Sequence, residues 1–226
     1  MTQKSGQTNA ALKGKNALGQ DVNQPWEQDN QSWWDWYMTL ADNSSERGNY
    51  LAEPLPLPQT DLPSDPKIFE ELQIPYGLTK QDRDAFQRDG FIKLRNVISP
   101  GAAIRLRQEL IKLLVNSFKT GDDGGAPGRF LSLEMAWVEN SLITAYVLSP
   151  RIGKLCSDLL GVPSVRLYHD NILSKGPGCG RTPWHYDDHH FPLATDDVVT
   201  AWIPAQPIPV GMSPLSFAKP LSVFEL

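Results

Sequence analysis

The chain has 226 residues, of which 40% are hydrophobic and 21% charged, and its formal net charge is −5. This composition is typical of an ordinary folded protein with one domain, or one domain and an extended arm. The negative charge disfavours a nucleic-acid-binding protein, and no stretch reaches the apolar length that a membrane-spanning helix needs. The N-terminus lacks the apolar run of a secretory signal peptide, and Cys156 and Cys179 lie in unlike contexts that disfavour a disulfide. We therefore expect a cytoplasmic protein that binds neither nucleic acid nor a membrane.

The N-terminal segment is polar, and an aromatic cluster follows it. Residues 1–24 are rich in Gln, Asn, Lys, Ser and Gly, so we expect a disordered tail. Trp26, Trp33 and Tyr37 then lie near helical spacing. They predict a short helix whose aromatic face packs on the body of the protein, with an aromatic ligand box as the alternative.

A proline-rich stretch separates this cluster from the rest of the chain. Residues 54–66 hold five prolines, a composition typical of an extended linker or a strap over the surface. We therefore interpret residues 25–77 as a Trp-rich helix and a Pro-rich linker, with ordered structure beginning near Leu78.

The first predicted elements after the linker are a short helix and a strand. Thr79 followed by Asp82 is a capping-box pattern, Phe86 lies on the apolar side of the helix, and Gly90 ends it. In residues 91–98, FIKLRNVI, the alternation of side chains predicts a half-buried strand.

Three further helices are predicted in the next part of the chain. Ser99 and Pro100 form an N-cap and first-turn pair that opens a long helix. Its apolar side chains lie on or near one side: Ile104, Leu106, Leu110, Leu113, Leu114 and Phe118. After a loop at residues 121–128, we predict a second helix over residues 132–148 and a third over residues 149–161.

The sequence changes character after this point, because strand-like segments replace helical ones. Residues 165–175 and the β-branched residues 197–205 predict strands, and residues 212–218 could form another. Helices first and strands second indicate an α+β fold whose β part is a sandwich or a jelly roll.

The candidate site lies in the sequence Trp184-His185-Tyr186-Asp187. In a strand, residues i and i+2 point to the same face, so His185 and Asp187 would project side by side. An imidazole and a carboxylate in this arrangement supply two corners of the 2-His-1-carboxylate triad that binds Fe(II) and leaves positions open. The alternative is a histidine that is hydrogen-bonded to a nearby carboxylate and binds no metal.

The other histidines are weaker candidates. His169 and Asp170 are adjacent and would point to opposite faces of a strand, so they cannot chelate one ion together. His189 would share the face of His185, but three same-face positions along one strand form a row too long to surround an ion. We therefore expect His189 at the rim of the pocket.

Three segments resemble the phytanoyl-CoA dioxygenase family over much of the chain. They are residues 78–94 (LTKQDRDAFQRDGFIKL), 182–193 (TPWHYDDHHFPL) and 198–217 (VVTAWIPAQPIPVGMSPLSF). The order of these pieces is similar to that of the family, as is the Pro-Trp-His-x-Asp core followed by Thr-Ala-Trp.

The resemblance implies a fold, an activity and a set of site residues. The fold would be a double-stranded β-helix of the jelly-roll kind behind N-terminal helices. The activity would be hydroxylation of a small organic molecule, coupled to decarboxylation of 2-oxoglutarate. His185 and Asp187 would be the Fe(II) ligands, and Asn171, Tyr186 and Trp202 would contact 2-oxoglutarate. For Asn171 and Trp202, ordinary strand packing is the alternative.

The resemblance also implies two residues that the sequence does not contain. Family members have a second iron-binding histidine well beyond the His-x-Asp, followed by an arginine that pairs with the distal carboxylate of 2-oxoglutarate. This sequence has no histidine after His190 and no arginine after Arg181. We therefore expect an oxygenase domain at residues 78–226 that lacks its C-terminal part, an incomplete jelly roll, and low or no activity for this chain.

Two other functions stay open on the sequence alone. The chain could be a non-catalytic truncated remnant or an interaction protein. It could also be a cupin-like protein in which His185, His189 or His190 binds another divalent ion.

Overall fold

A computed structural model of the chain describes residues 62–121, 124–187, 191, 193–212 and 214–218. The elements in chain order are α1 (Asp65–Gln73), α2 (Lys80–Asp89), α3 (Pro100–Phe118), β1 (Phe130–Glu134), a 3₁₀ turn (Ala136–Val138), α4 (Ser141–Val147), α5 (Pro150–Leu160), β2 (Asn171–Lys175) and a second 3₁₀ turn (Val210–Met212). The predicted tail and the Trp-rich helix lie outside the described residues and stay predictions.

Helix α1 begins before the point where ordered structure was predicted. Ile68 and Leu72 on this helix are fully buried, at 0% exposure. The prediction that residues up to 77 form a linker is therefore wrong for residues 65–73. Proline is favoured in the first turn of a helix, and Pro66 lies there, two residues after the N-cap Ser64. The last proline of the linker is thus a helix start signal.

A charged network fixes α1 against α3 and α5. The Glu71 carboxylate accepts hydrogen bonds from the backbone N–H and the hydroxyl of Ser99, both at 2.7 Å. Arg151 on α5 donates to the carbonyls of Ile74 and Val97, each at 2.7 Å, and lies 3.4 Å from Glu71. One guanidinium therefore joins the end of α1, the segment before α3 and the first turn of α5.

The helix caps agree with the sequence prediction. Thr79 and Asp82 form a complete capping box, and Gly90 ends α2 with a left-handed φ of 74°. The Ser99 hydroxyl accepts from the backbone N–H of Ala102, which caps α3. These signals were readable because they depend only on neighbours within one turn.

Residues 91–98 do not form the predicted strand. No described residue pairs with this segment in a β-ladder, and Asn96 has a left-handed φ of 56° that breaks the alternation. The carbonyl of Arg95 accepts a hydrogen bond from the hydroxyl of Tyr76. Side chains from elsewhere, including Arg151, therefore replace strand neighbours as hydrogen-bond partners.

The helix predicted over residues 132–148 is half wrong. Its first part belongs to β1 (Phe130–Glu134), and only Ser141–Val147 is helical. Met135, with a φ of 57°, ends the strand, and the Asn140 side chain caps the helix by accepting two backbone N–H groups. The Phe-Leu-Ser-Leu-Glu alternation was the strand signal that the helical interpretation overlooked.

Strands β1 and β2 form a two-stranded antiparallel sheet. The register runs from Phe130 opposite Lys175 to Glu134 opposite Asn171. Within the described part of the chain, the strands predicted at residues 197–205 and 212–218 are not formed. β-Branched residues favour extended backbone, but a strand also needs a hydrogen-bonded neighbour, and none of the described residues supplies one.

The observed architecture is a mixed helix-and-sheet fold with two apolar clusters. The larger cluster surrounds α1, α3, α4 and β1, and its fully buried side chains include Ile68, Leu72, Leu131, Leu142 and Tyr146. The smaller cluster lies on α5 and contains Ile152, Leu155, Cys156 and Leu159. The thiol of Cys156 is free and buried in this cluster. Ile203 contacts both clusters and so holds residues near 203 against the helical layer.

Gly176 closes the connection between β2 and the loop that follows it. A Cβ atom at this position would lie 1.8 Å from the carbonyl oxygen of Ala126. The Gly176 N–H donates to the carbonyl of Arg129 at 2.9 Å, and the Gly128 N–H donates to the carbonyl of Pro177 at 2.8 Å. The backbone at Gly176 therefore lies so close to the backbone at Ala126 that a side chain at position 176 would not fit.

We predict that Gly176→Ala lowers the free energy of unfolding by about 2 kcal/mol or more, because backbone must move to remove the overlap. The matched control is Gly153→Ala on α5, where nothing lies within 4 Å of an added Cβ. That change should be neutral or stabilise the protein by up to about 1 kcal/mol. Urea unfolding of both variants checks the difference, and equal midpoints would contradict it.

Candidate metal and cosubstrate site

The side chains of His185 and Asp187 converge in the loop that follows β2. The Nε2 atom of His185 lies 3.3 Å from Oδ1 of Asp187. The segment 184–187 is not a strand, so the geometry that suggested the convergence is wrong although the convergence itself is present. The two side chains are 36% and 47% exposed, which leaves the pair accessible from solvent.

The imidazole of His185 is oriented by the backbone two residues earlier. Its Nδ1 atom lies 2.8 Å from the carbonyl oxygen of Pro183, which can only accept, so Nδ1 carries a proton and donates it. Nε2 is thereby the nitrogen that faces Asp187. The hydrogen bond to the Asp187 carboxylate raises the pKa of His185, the Pro183 carbonyl adds to this effect, and desolvation opposes it.

The carboxylate of Asp187 is oriented by a residue from a different segment. The Thr200 hydroxyl donates to Oδ2 of Asp187 at 2.7 Å. Because Oδ2 accepts this bond, Oδ1 is the oxygen that points to His185. Each side chain is therefore held by a hydrogen bond at one polar atom, Nδ1 of His185 or Oδ2 of Asp187. Its other polar atom faces the partner side chain.

This arrangement fits two adjacent ligands of one metal ion. Two donors bound at right angles, with bonds of about 2.1 Å, lie about 3 Å apart. The observed 3.3 Å between Nε2 and Oδ1 is close to that spacing. A histidine whose other nitrogen donates to a carbonyl is also the usual form of a metal-binding imidazole.

A third ligand is not found among the described residues. No group of three or more His, Cys, Asp or Glu side chains that could hold an ion occurs in that part of the chain. His189 and His190 lie outside it, so the predicted place of His189 at the pocket rim stays a prediction.

Asn171 begins β2 and is half-buried. Its side-chain oxygen accepts a hydrogen bond of 2.9 Å from the Ser132 hydroxyl on β1. With the oxygen occupied, the amide NH₂ group is the part of Asn171 that could donate to a carboxylate ligand. Ser132 was not identified from the sequence, because its contact depends on the register between β1 and β2.

The aromatic candidates are partly exposed. Tyr186 is 38% and Trp202 44% exposed, and Trp184 beside His185 reaches 73%. Aromatic rings with this exposure can line the wall of an open pocket. They are not among the buried core residues, and their predicted contact with 2-oxoglutarate stays a prediction.

His169 and Asp170 contact different neighbours. The His169 ring packs against Tyr168 and Phe191. The Asp170 side chain is buried and accepts from the backbone N–H of Trp137 at 3.5 Å, and burial raises the pKa of its carboxyl. Asp170 therefore contacts the 3₁₀ turn after β1, which is consistent with the expectation that this pair does not chelate an ion.

Thr200, like Ser132, is a residue of the site that sequence analysis missed. It lies in the segment interpreted as a strand, and a single threonine there carries no signal of its own. Thr200 lies thirteen residues after Asp187 in the sequence, and the two side chains meet only in the folded chain.

The comparisons with known proteins agree on one family. The model of the family described as phytanoyl-CoA dioxygenase (PhyH) matches residues 86–218. The peroxisomal phytanoyl-CoA dioxygenase of Mus musculus is 25% identical over 161 residues, covering 62% of this chain and 47% of that protein. The Rattus norvegicus protein of the same name is 24% identical over 169 residues, covering 67% and 50%. The chain thus spans about half the length of the curated relatives it matches.

Two further findings concern solved structures and membrane-spanning helices. No solved structure gives a significant match. Among the described helices, none is both long and apolar enough to cross a membrane.

Proposed function

The chain belongs to the phytanoyl-CoA dioxygenase family, whose model matches residues 86–218, and from this premise we propose an Fe(II)- and 2-oxoglutarate-dependent dioxygenase. It hydroxylates a small organic molecule. The oxygenase domain in this proposal is an incomplete double-stranded β-helix with N-terminal helices, and the described residues form one two-stranded sheet. The identity to named relatives is about 25%, which supports the class of reaction and does not specify the substrate.

The observation that carries this proposal is the fixed pairing of His185 with Asp187. Their donor atoms lie 3.3 Å apart, and each side chain is held by a hydrogen bond through its other polar atom. When bound there together with 2-oxoglutarate, Fe(II) supplies the activation of dioxygen. His185 and Asp187 would supply the ion with an imidazole and a carboxylate and would leave positions open for cosubstrate and dioxygen.

The surrounding residues have separate tasks in this proposal. The Asn171 amide donates to a carboxylate oxygen of 2-oxoglutarate, and Tyr186 and Trp202 form the walls of the cosubstrate pocket. The described residues hold two of the three protein ligands that a facial triad uses. Two protein ligands hold an ion more weakly than three, so Fe(II) bound by His185 and Asp187 alone is held weakly.

A second candidate function is a non-catalytic interaction protein. It is favoured by the two-ligand site and by the exposed aromatic side chains around it, of which Trp184 is 73% exposed. In that case the histidine and carboxylate form an ion pair, and 2-oxoglutarate has no effect on the protein. Metal binding separates the two functions.

We predict that anaerobic titration of the metal-free chain with Fe(II) gives measurable binding that 2-oxoglutarate strengthens. His185→Ala should weaken Fe(II) binding by at least about tenfold, because it removes one of two protein ligands. Isothermal titration calorimetry with and without 2-oxoglutarate measures both effects.

The matched control for this titration is His169→Ala. His169 is also an imidazole close to a carboxylate, but its ring packs against aromatic side chains and lies outside the pair. Its removal should leave Fe(II) affinity unchanged. Equal losses in the two variants, or no binding by the unaltered chain, would favour the non-catalytic protein.

Asn171→Asp should abolish the strengthening effect of 2-oxoglutarate while leaving Fe(II) binding in its absence unchanged. The substitution keeps the size and the oxygen that accepts from Ser132. It replaces the NH₂ donor by a negatively charged oxygen that repels a carboxylate. The same calorimetric titration checks this outcome. An unchanged 2-oxoglutarate effect would remove Asn171 from the cosubstrate site.

A further inference from the structure

The hydrogen bond between Thr200 and Asp187 connects the metal-binding loop to the helical core. Thr200 Oγ1 donates to Asp187 Oδ2 at 2.7 Å. The neighbouring side chains Val199 and Ile203 pack against the apolar cluster on α5. Thr200 is thus attached to a packed layer, whereas Asp187 lies in a loop and is 47% exposed.

A half-exposed aspartate in a loop has no fixed orientation of its own. Rotation about its last side-chain bond would let it offer either oxygen, or both, to a metal ion. The hydroxyl of Thr200 occupies Oδ2, and Oδ1 then faces Nε2 of His185 at 3.3 Å. This bond selects one oxygen as the ligand and sets its distance to the imidazole.

We propose that Thr200 is a positioning residue of the metal site, whose hydroxyl holds Asp187 as a one-oxygen ligand beside His185. This inference rests on the proposed function, because it assigns a role toward the metal that His185 and Asp187 would bind. Residues that hydrogen-bond to a metal ligand change the affinity for the metal without touching the ion. The Thr200 hydroxyl also competes with the metal ion for Oδ2, which the ion would need in order to bind Asp187 through both oxygens.

The test uses the full-length chain and Co(II), an air-stable probe whose visible absorption reports the number and arrangement of its ligands. Thr200→Val keeps the shape of the side chain and removes the donor. It should weaken Co(II) binding by about tenfold, the lower end of the range for residues that orient metal ligands, because this hydrogen bond is exposed. The absorption of the bound ion should also change, as Asp187 becomes free to bind through both oxygens.

Two variants separate positioning from a general structural role. Thr200→Ser retains the hydroxyl and should restore both the affinity and the spectrum. Thr195→Val removes a threonine hydroxyl five residues earlier in the sequence, which accepts from the backbone N–H of Asp197. That variant should bind Co(II) like the unaltered chain. Thr200→Ala provides a second removal of the donor if Thr200→Val fails to fold.

Three results would overturn the inference. In the first, Thr200→Val and Thr200→Ala bind Co(II) with unchanged affinity and spectrum. In the second, Thr195→Val shows the same loss as Thr200→Val. In the third, the unaltered chain itself does not bind Co(II), and this result alone also removes the proposed function. The first two leave His185 and Asp187 as proposed ligands.

Discussion

The pairing of β1 with β2 is the constraint that connects the helical layer to the candidate site. It joins Phe130–Glu134 to Asn171–Lys175 in one antiparallel register. A shift by one residue would exchange the two faces of each strand, removing Leu131 and Ile172 from the core and Asn171 from Ser132. The loop that carries His185 and Asp187 starts where β2 ends, at the close contact of Gly176 with Ala126. The position of the proposed ligands therefore depends on a sheet that has two strands within the described part of the chain.

Local signals in the sequence were reliable, and signals that depend on distant partners were not. The caps at Thr79, Gly90 and Ser99 are fixed by residues within one turn, and each occurs as predicted. The strand at residues 91–98 was wrong, because alternation does not supply a neighbouring strand. The start of α1 was missed, because Pro66 was counted with the prolines of the linker although its position favours a helix.

The candidate site shows the same division. His185 and Asp187 were identified from a spacing of two residues, and their side chains do meet, although through a loop conformation and not through a strand. Thr200 and Ser132 could not be identified, because each becomes a neighbour of the site only after the chain has folded. A sequence pattern can therefore name the atoms that would bind a metal, but the atoms that orient them require the structure. In the proposed site, those orienting contacts are the hydrogen bonds of His185 to Pro183 and of Asp187 to Thr200.

The central claim, that His185 and Asp187 bind one metal ion together, is tested most directly by anomalous diffraction from crystals of the chain grown with Co(II) and 2-oxoglutarate. The account predicts a single anomalous peak at about 2 Å from both His185 Nε2 and Asp187 Oδ1, with the Thr200 hydroxyl still bonded to Oδ2. A peak beside His169 and Asp170, or no peak within bonding distance of His185, would contradict it.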